Sequence, residues 1–343
     1  IKTSMKKINW GIIGLGNIAN TFANAFDYVE NSQLLGISSK SLKNIKLFKE
    51  RYKISEKYCF QNYKDLINCD EIDIIYIALP HSFHFEWIMK CIESNKNILV
   101  EKPATINLDE IKKVNEKLEN SKIFFAEAFM YLYHPQTLKI IDIIKKNTIG
   151  ELQSMESKFG FNIVQKNFFG FKWNKINKKK RLFNKNLGGG CILDIGCYPS
   201  SFSVIIAKLK SDIELDKLKI ENIKKDYGSS DVDLEAHAIL KFDNNFTSKI
   251  MSSFKKNIGQ STKIIGSKGE IFIENSWSCN PSKITINGDN YDNLNTEIKN
   301  LYSYEIDKIS KCIIENRKDP IYPAMNRYDT EQNIKILDRW IES

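Results

Sequence analysis

Over the first third of the chain, short apolar runs rich in β-branched residues alternate with longer amphipathic stretches. Ile8–Ile13, Gln33–Ser38, Ile72–Leu79, Asn97–Val100 and Ile123–Phe125 read as strands. Asn17–Val29, Leu42–Tyr52, Phe83–Ser94 and Leu108–Asn120 read as the helices between them. Strands and helices in alternation build the βαβ units of a parallel, doubly wound sheet. After about Ala126 the alternation stops. A helix (Thr137–Lys146), a strand (Leu152–Phe161), a basic loop and an apolar helix (Cys191–Leu209) come first. The strands Leu234–Phe242, Thr247–Phe254, Thr262–Ile265, Glu270–Glu274 and Lys283–Ile286 follow, joined by short turns, and two helices near Leu301–Asn316 and Thr330–Ile341 end the pattern. Short turns between strands favour antiparallel pairing. The expected fold class is α/β: a doubly wound parallel sheet over residues 1–126, then an α+β domain over 127–343 on an open, mostly antiparallel sheet. The last helix is expected to pack back on the first domain.

Composition narrows the function classes. With 343 residues the chain has room for two domains of roughly 100–200 residues each. Its net charge of +9 invites a nucleic-acid reading, but only five of the 51 basic residues are arginine, at 51, 181, 317, 327 and 339. The guanidinium is the group suited to bidentate phosphate and base recognition, and the lysines are spread along the whole sequence, so no nucleic-acid partner is expected. No apolar run approaches the roughly 18 residues of a membrane span. The polar segment Ile1–Lys7 lacks the apolar core of an export signal. Seven cysteines (59, 69, 91, 191, 197, 279 and 312), none in a CxxC pair, imply neither a disulfide framework nor a zinc ribbon. A reducing, cytoplasmic setting and no metal are expected.

Chemistry enters at the first strand. Gly14-Leu15-Gly16-Asn17-Ile18-Ala19 matches GxGxxG/A, directly after a strand and at the start of an amphipathic helix, the context that gives this otherwise weak pattern its meaning. Gly14 permits the tight turn, Gly16 lets the backbone approach a pyrophosphate, and Ala19 allows close helix–strand packing. Asn17 and Ile18 open the helix whose N-terminus would face the phosphates. An NAD site places Asp or Glu at the end of the second strand. Here stand Ser38-Ser39-Lys40-Ser41, with Lys43 beyond. Ser39 and Lys40, a hydroxyl and a cation, suit a 2′-phosphate, so NADP(H) is favoured over NAD(H).

Two further signatures, Glu101-Lys102-Pro103 after the fifth strand and Gly188-Gly189-Gly190-Cys191-Ile192-Leu193-Asp194-Ile195-Gly196-Cys197-Tyr198-Pro199, complete a pattern. With Gly14–Ala19 in this order and spacing, the chain resembles the glucose-fructose oxidoreductase / inositol dehydrogenase (Gfo/Idh/MocA) family over nearly its whole length. Glu127-Ala128-Phe129-Met130, His134-Pro135-Gln136 and Arg181-Leu182-Phe183 point to the branch of dimeric dihydrodiol dehydrogenases and NADP-dependent D-xylose dehydrogenases. The resemblance implies an N-terminal Rossmann domain and a homodimer or homotetramer formed through the C-terminal sheet. It implies hydride transfer between a nicotinamide and a carbinol or carbonyl carbon of a sugar, polyol or cyclic diol. Lys102 and Tyr198 are then the catalytic pair. Ala78, Leu79, Pro80, His84, Glu101, Lys102, Glu127 and Arg181 join the cofactor contacts.

Elementary chemistry agrees with those roles. Asp194 and Tyr198 are i and i+4 on the expected helix and so share a face. A phenol of ordinary pKa near 10 is a poor base at neutral pH, but a nearby ammonium such as that of Lys102 favours the phenolate. Tyr198 then serves as general acid–base, Lys102 polarises the substrate oxygen, and Asp194 orients a hydroxyl or the lysine. Other family members carry His in place of Tyr198, so polyol specificity does not transfer from them. Two alternatives stand beside this reading: a ketoreductase of nucleotide-linked sugars and a non-catalytic cofactor-binding sensor.

Blander readings apply to the remaining features. His81 is expected at the surface or as a cap, His237 as a satisfied structural histidine, and Cys191 and Cys197 as small core thiols. Phe124, Phe125, Phe129, Met130, Tyr131 and Tyr133 read mostly as core. The basic run Lys175–Arg181 reads as a solvated loop, with an anion clamp as its functional alternative.

Overall fold

A computed structural model of the chain describes residues 7–168, 171–174, 176–291 and 300–343. Ile1–Lys6, most of the segment read for an export signal, and Lys175 of the basic run lie outside the described residues. The chain divides into two compact units.

The first unit comprises the described part of Ile1–Thr105, Asp109–His134 and Glu297–Tyr328. Its sheet is formed by β1 (Ile8–Ile13), β2 (Ser32–Ser38), β3 (Cys59–Phe60), β4 (Ile74–Ile77), β5 (Asn97–Glu101) and β6 (Phe125–Ala128), ordered β3-β2-β1-β4-β5-β6 and parallel throughout. Helices α1 (Asn17–Ala23), α2 (Leu42–Tyr52), α3 (Tyr63–Ile67), α4 (His84–Glu93) and α5 (Leu108–Leu118) supply the crossovers. All four residues of β4 are fully buried, which is why the strand reads as an unbroken apolar run: a parallel strand covered on both faces has no polar side. The order reverses between β1 and β4, the switch point outside whose strand ends doubly wound folds bind their ligands.

The second unit comprises Ile106–Leu108, the described part of Pro135–Thr296, and Asp329–Ser343. After α6 (Pro135–Lys145) come β7 (Leu152–Gly160) and a two-stranded antiparallel ribbon, β8 (Gln165–Phe168) with β9 (Phe171–Asn174). A π-helical turn (Ile192–Gly196) leads into α7 (Cys197–Lys210). The sheet is completed by β10 (Lys219–Tyr227), β11 (Asp233–Lys241), β12 (Thr247–Ser253), β13 (Thr262–Gly266), β14 (Gly269–Ile273), β15 (Ile284–Ile286) and β16 (Asp289–Asn290). Its order is β10-β11-β12-β7-β13-β14-β15-β16, antiparallel except where β12 meets β7. One face turns Met155, Ile250, Ala236, Ala238 and Ile264 into the core, against which α7 packs. The alternate positions Glu156, Lys158, Lys249 and Phe272 are exposed. The apolar stretch around α7 has the length of a membrane span, but it is wholly buried in this unit, as a core helix is.

Three findings bear on the expected division and strands. The division is not a single cut after residue 126, because α8 (Leu301–Ile314) belongs to the first unit. Its Ile306, Ile309 and Cys312 are buried, and Ser310 Oγ accepts both the Trp10 indole N–H at 3.0 Å and the Ser32 hydroxyl at 2.6 Å. Second, the final helix, α9 (Arg327–Glu342), belongs from Asp329 onward to the second unit. Third, β10 was not legible as a strand: it lies at a sheet edge, is mostly exposed and charged, and is bulged where Asn222 takes φ +51°.

Candidate active site

In the first unit the glycine turn is shaped for a ligand. Gly14 has φ +88°, and a Cβ there would overlap the carbonyl oxygen of Ala78, so the turn lies flat against the end of β4. Gly16 differs. Among the described residues a Cβ on it would meet nothing within 4 Å, and it stands at the N-cap of α1 with no side-chain cap and no acid in the first turn. The leading N–H groups of α1 therefore lack a side-chain cap beside open space, which fits the phosphates of a dinucleotide. Gly16 and Asn17 are exposed and Ile18 is half-buried.

At the end of β2, Ser39 is buried and its Oγ accepts the Ser41 N–H at 3.1 Å, while Lys40 is exposed. Ser41 caps α2, and the first turn of α2 carries no acid. After β4, Ala78-Leu79-Pro80 leads to His84, which is fully buried. Its Nδ1 lies 2.8 Å from the Pro103 carbonyl oxygen and its Nε2 2.8 Å from that of Leu79. His84 thus ties the loop after β4 to the Glu101-Lys102-Pro103 loop after β5. His81, expected at the surface, is buried instead, its ring 5.7 Å from that of His84.

Behind Lys102 lies a cluster the sequence did not reveal. Tyr76 on β4 donates its hydroxyl proton to Glu101 Oε1, and the Lys102 backbone N–H donates to Oε2 at 3.3 Å. Burial, then the charge of Glu101, pushes the Tyr76 phenol well above its ordinary pKa, so it remains a donor. Glu305 of α8 is 0% exposed, and among the described residues neither carboxyl oxygen has a hydrogen-bond partner. Burial first and Glu101 second push its pKa well up. Glu127, expected at the cofactor, accepts the Ala104 N–H at 2.9 Å and so anchors the segment after Lys102-Pro103.

In the second unit, Tyr198 is 6% exposed in α7, with its ring edge-on to Phe159 at 5.3 Å and tilted against Trp277 at 5.7 Å. Phe161, exposed at the end of β7, extends that aromatic wall. Asp194 and Tyr198 do not share one regular α-helix as expected. The π turn inserts extra backbone between them, a feature frequent at functional sites. Asp194 Oδ1 receives Arg181 Nη2 at 2.9 Å, so Arg181, expected to reach the cofactor, is bonded within its own unit. Cys191 and Cys197 are buried, and burial pushes the Cys191 thiol well up, as inert core thiols require. Asn177–Lys180 are exposed. His237 is partly buried, its Nε2 3.5 Å from Glu235 Oε1.

A parallel sheet with a glycine turn at its switch point, a Glu-Lys-Pro loop and an aromatic-walled tyrosine on a separate sheet domain define a nicotinamide-dependent oxidoreductase. Residues 8–129 match the model of the oxidoreductase family with an NAD-binding Rossmann fold, and residues 137–272 match the GFO/IDH/MocA C-terminal domain. The chain belongs to the GFO/IDH/MocA family, as the sequence resemblance implied. It is 26% identical to a trans-1,2-dihydrobenzene-1,2-diol dehydrogenase of Xenopus tropicalis over 97% of each chain. It is 30% identical to a D-xylose 1-dehydrogenase (NADP(+)) of Hypocrea jecorina over 56% of this chain and 51% of that protein. Among solved structures, an aldose-aldose oxidoreductase from Caulobacter crescentus complexed with glycerol superposes with TM-score 0.83 at 20% identity, covering 98% of this chain and 97% of that one. A 3-ketoreductase from Actinomadura kijaniata with NADP and TDP-benzene gives 0.80 at 20%, covering 97% and 96%.

Proposed function

We propose that the chain is an NADP(H)-dependent dehydrogenase or reductase acting on a CH–OH or C=O carbon of a sugar, polyol or cyclic diol. The observation that carries this reading is the setting of Tyr198. A phenol on a rigid helix, walled by Phe159 and Trp277, presents a proton-transfer group beside a flat apolar surface. That combination suits one hydroxyl and one apolar face of a ring. The residues around Gly16 fit the dinucleotide, and the nicotinamide, when bound, supplies or accepts the hydride.

The protein's own residues then have separate tasks. Tyr198 gives the proton to the substrate oxygen in reduction and takes it in oxidation. Lys102 polarises that oxygen, and Glu101, which accepts from Tyr76, stands next to the lysine in the chain. Asp194 is steadied by Arg181 to receive a substrate hydroxyl. Ser39, Lys40 and the acid-free start of α2 support the choice of NADP over NAD, and the named cofactor of the xylose dehydrogenase supports it too. The exposed face of the second unit's sheet, a trough of about 570 Å³ lined by Glu156, Lys158, His237, Lys249, Met251 and Phe272, supports self-association.

The test is nicotinamide absorbance with NADP and NAD in turn, against free aldoses, polyols and cyclic diols. The expected result is NADP reduction by one of these classes. Lys102→Ala and Tyr198→Phe should each lower kcat by about 100-fold or more, in line with positioned acid–base groups. Near-normal turnover in Tyr198→Phe ends the assignment, and silence across the panel despite tight NADPH binding ends the substrate class.

A further inference from the structure

The helical run that carries Asp194 and Tyr198 begins without a cap of its own. Gly188, Gly189 and Gly190 offer no side chain, and neither the π turn nor α7 receives a side-chain hydrogen bond at its N-cap. A helix start leaves its leading N–H groups unpaired, and a buried start needs partners for them. One partner comes from another element of the same unit. Asp233, the first residue of β11 and 7% exposed, accepts the Ile192 N–H on Oδ2 at 2.6 Å.

That approach depends on the glycine opposite. Gly190 has φ +110°, and a Cβ there would overlap Asp233 Oδ1. On the other side, a Cβ on Gly189 would stand 2.7 Å from the Arg181 carbonyl oxygen and 2.8 Å from that of Leu182, while the Gly190 N–H donates to Leu182 O at 3.0 Å. The glycine turn is therefore gripped by the segment bearing Arg181, whose guanidinium holds Asp194, and by the Asp233 carboxylate. The cation whose field reaches Asp233 is Lys225 on β10, its Nζ engaged with the Ile341 carbonyl at 2.8 Å.

We infer that Asp233 is a positioning residue: its carboxylate caps the Ile192–Lys210 run from outside the helix and fixes where Asp194 and Tyr198 point. A carboxylate suits that place twice over, since it accepts a charge-assisted hydrogen bond and sits at the positive end of the helix dipole. The inference rests on the assignment of Tyr198 as the acid–base group.

The experiment compares Asp233→Ala, Asp233→Asn and Gly190→Ala in the full chain by hydrogen exchange and steady-state kinetics. In Asp233→Ala, exchange should quicken in peptides covering residues 190–198 and stay unchanged elsewhere. The kcat should fall about tenfold or more, as small misplacements of reacting groups do, while NADPH affinity stays within about twofold. Gly190→Ala, which pushes the carboxylate away, should repeat both effects. Asp233→Asn keeps an acceptor oxygen for the Ile192 N–H and should recover kcat to within about threefold of the parent. Unchanged exchange at 190–198 in Asp233→Ala overturns the inference. So does a fall of kcat, NADPH affinity and Tm together that Asp233→Asn does not relieve. If the parent chain turns over no substrate, the proposed function fails, and the exchange pattern still decides whether Asp233 fixes this segment.

Discussion

Two glycine-rich turns lead into two helices in this molecule, and they use the missing side chains in opposite ways. At Gly14–Ala19 the glycines leave the helix start open: no described residue lies within 4 Å of where a Gly16 Cβ would stand, and α1 has no side-chain cap. At Gly188–Gly190 they let the protein's own groups close in: carbonyl oxygens against Gly189, and the Asp233 carboxylate against Gly190 and the Ile192 N–H. The same rule, that helix-start N–H groups need acceptors, applies to both. The first turn leaves room for an anion from outside, whereas the second already holds one from inside. Glycine before a helix is therefore not by itself a mark of ligand binding, and what a Cβ would touch decides between the two uses.

The sharpest contrast lies within the open turn. Gly14→Ala should cost both stability and binding, because alanine is strained at φ +88° and its Cβ would overlap the Ala78 carbonyl. Strain of about 1–2 kcal/mol and overpacking of about 1–3 kcal/mol add to a loss near 3 kcal/mol, read as a fall in Tm and in NADPH affinity together. Gly16→Ala should separate the two. Its backbone is extended, at φ −90° and ψ −167°, and a Cβ there meets nothing, so Tm should hold. NADPH affinity should drop about tenfold or more, since the methyl stands where the backbone must approach the pyrophosphate. Unchanged affinity in Gly16→Ala, measured by fluorescence titration, would break the open-turn reading.

Legibility followed sequence distance. The Gly14–Ala19 turn, β1 and β4 were readable because their signals are local: a motif at fixed spacing and strands buried on both faces. Asp233 was not, since it reaches Ile192 across 41 residues and nothing near it in the sequence marks it as a cap. The cluster of Tyr76, Glu101 and Glu305 was hidden for the same reason, being assembled from β4, β5 and the late helix α8. Glu127 and Arg181 show a second kind of hidden contact. The resemblance pointed both toward the cofactor, and their bonds to the Ala104 N–H and to Asp194 had no signal in the sequence. The π turn was read as plain helix because a one-residue insertion leaves the apolar pattern of Cys191–Leu209 almost intact.

The two units also bury acids differently, which gives the comparison a pH dependence. Among the described residues Glu305 has no hydrogen-bond donor, and burial followed by Glu101 pushes its pKa well up; Tyr76 and Tyr133 are further titratable neighbours. Asp233 is raised too, burial outweighing the Ile192 N–H and Lys225 that oppose it. For each acid the folded pKa lies above the unfolded value of about 4, so the folded state holds the proton more tightly. Its stabilising contribution is complete below about pH 4 and is lost as pH rises through the folded value. A neutral amide escapes that loss. Relative to the parent chain, Glu305→Gln should therefore gain stability with rising pH, by up to about 1.4 kcal/mol per unit until the folded pKa is passed. Asp233→Asn should gain in the same direction but level off at lower pH, because the Ile192 N–H and Lys225 oppose the rise at Asp233 and no described residue donates to Glu305. Denaturant unfolding from about pH 5 to about pH 9 checks both slopes. A flat difference for Glu305→Gln would mean that its carboxyl finds a partner in solution. A slope for Asp233→Asn that persists to higher pH than that of Glu305→Gln would mean that the closed turn holds its anion less well than the hydrogen bond to Ile192 implies.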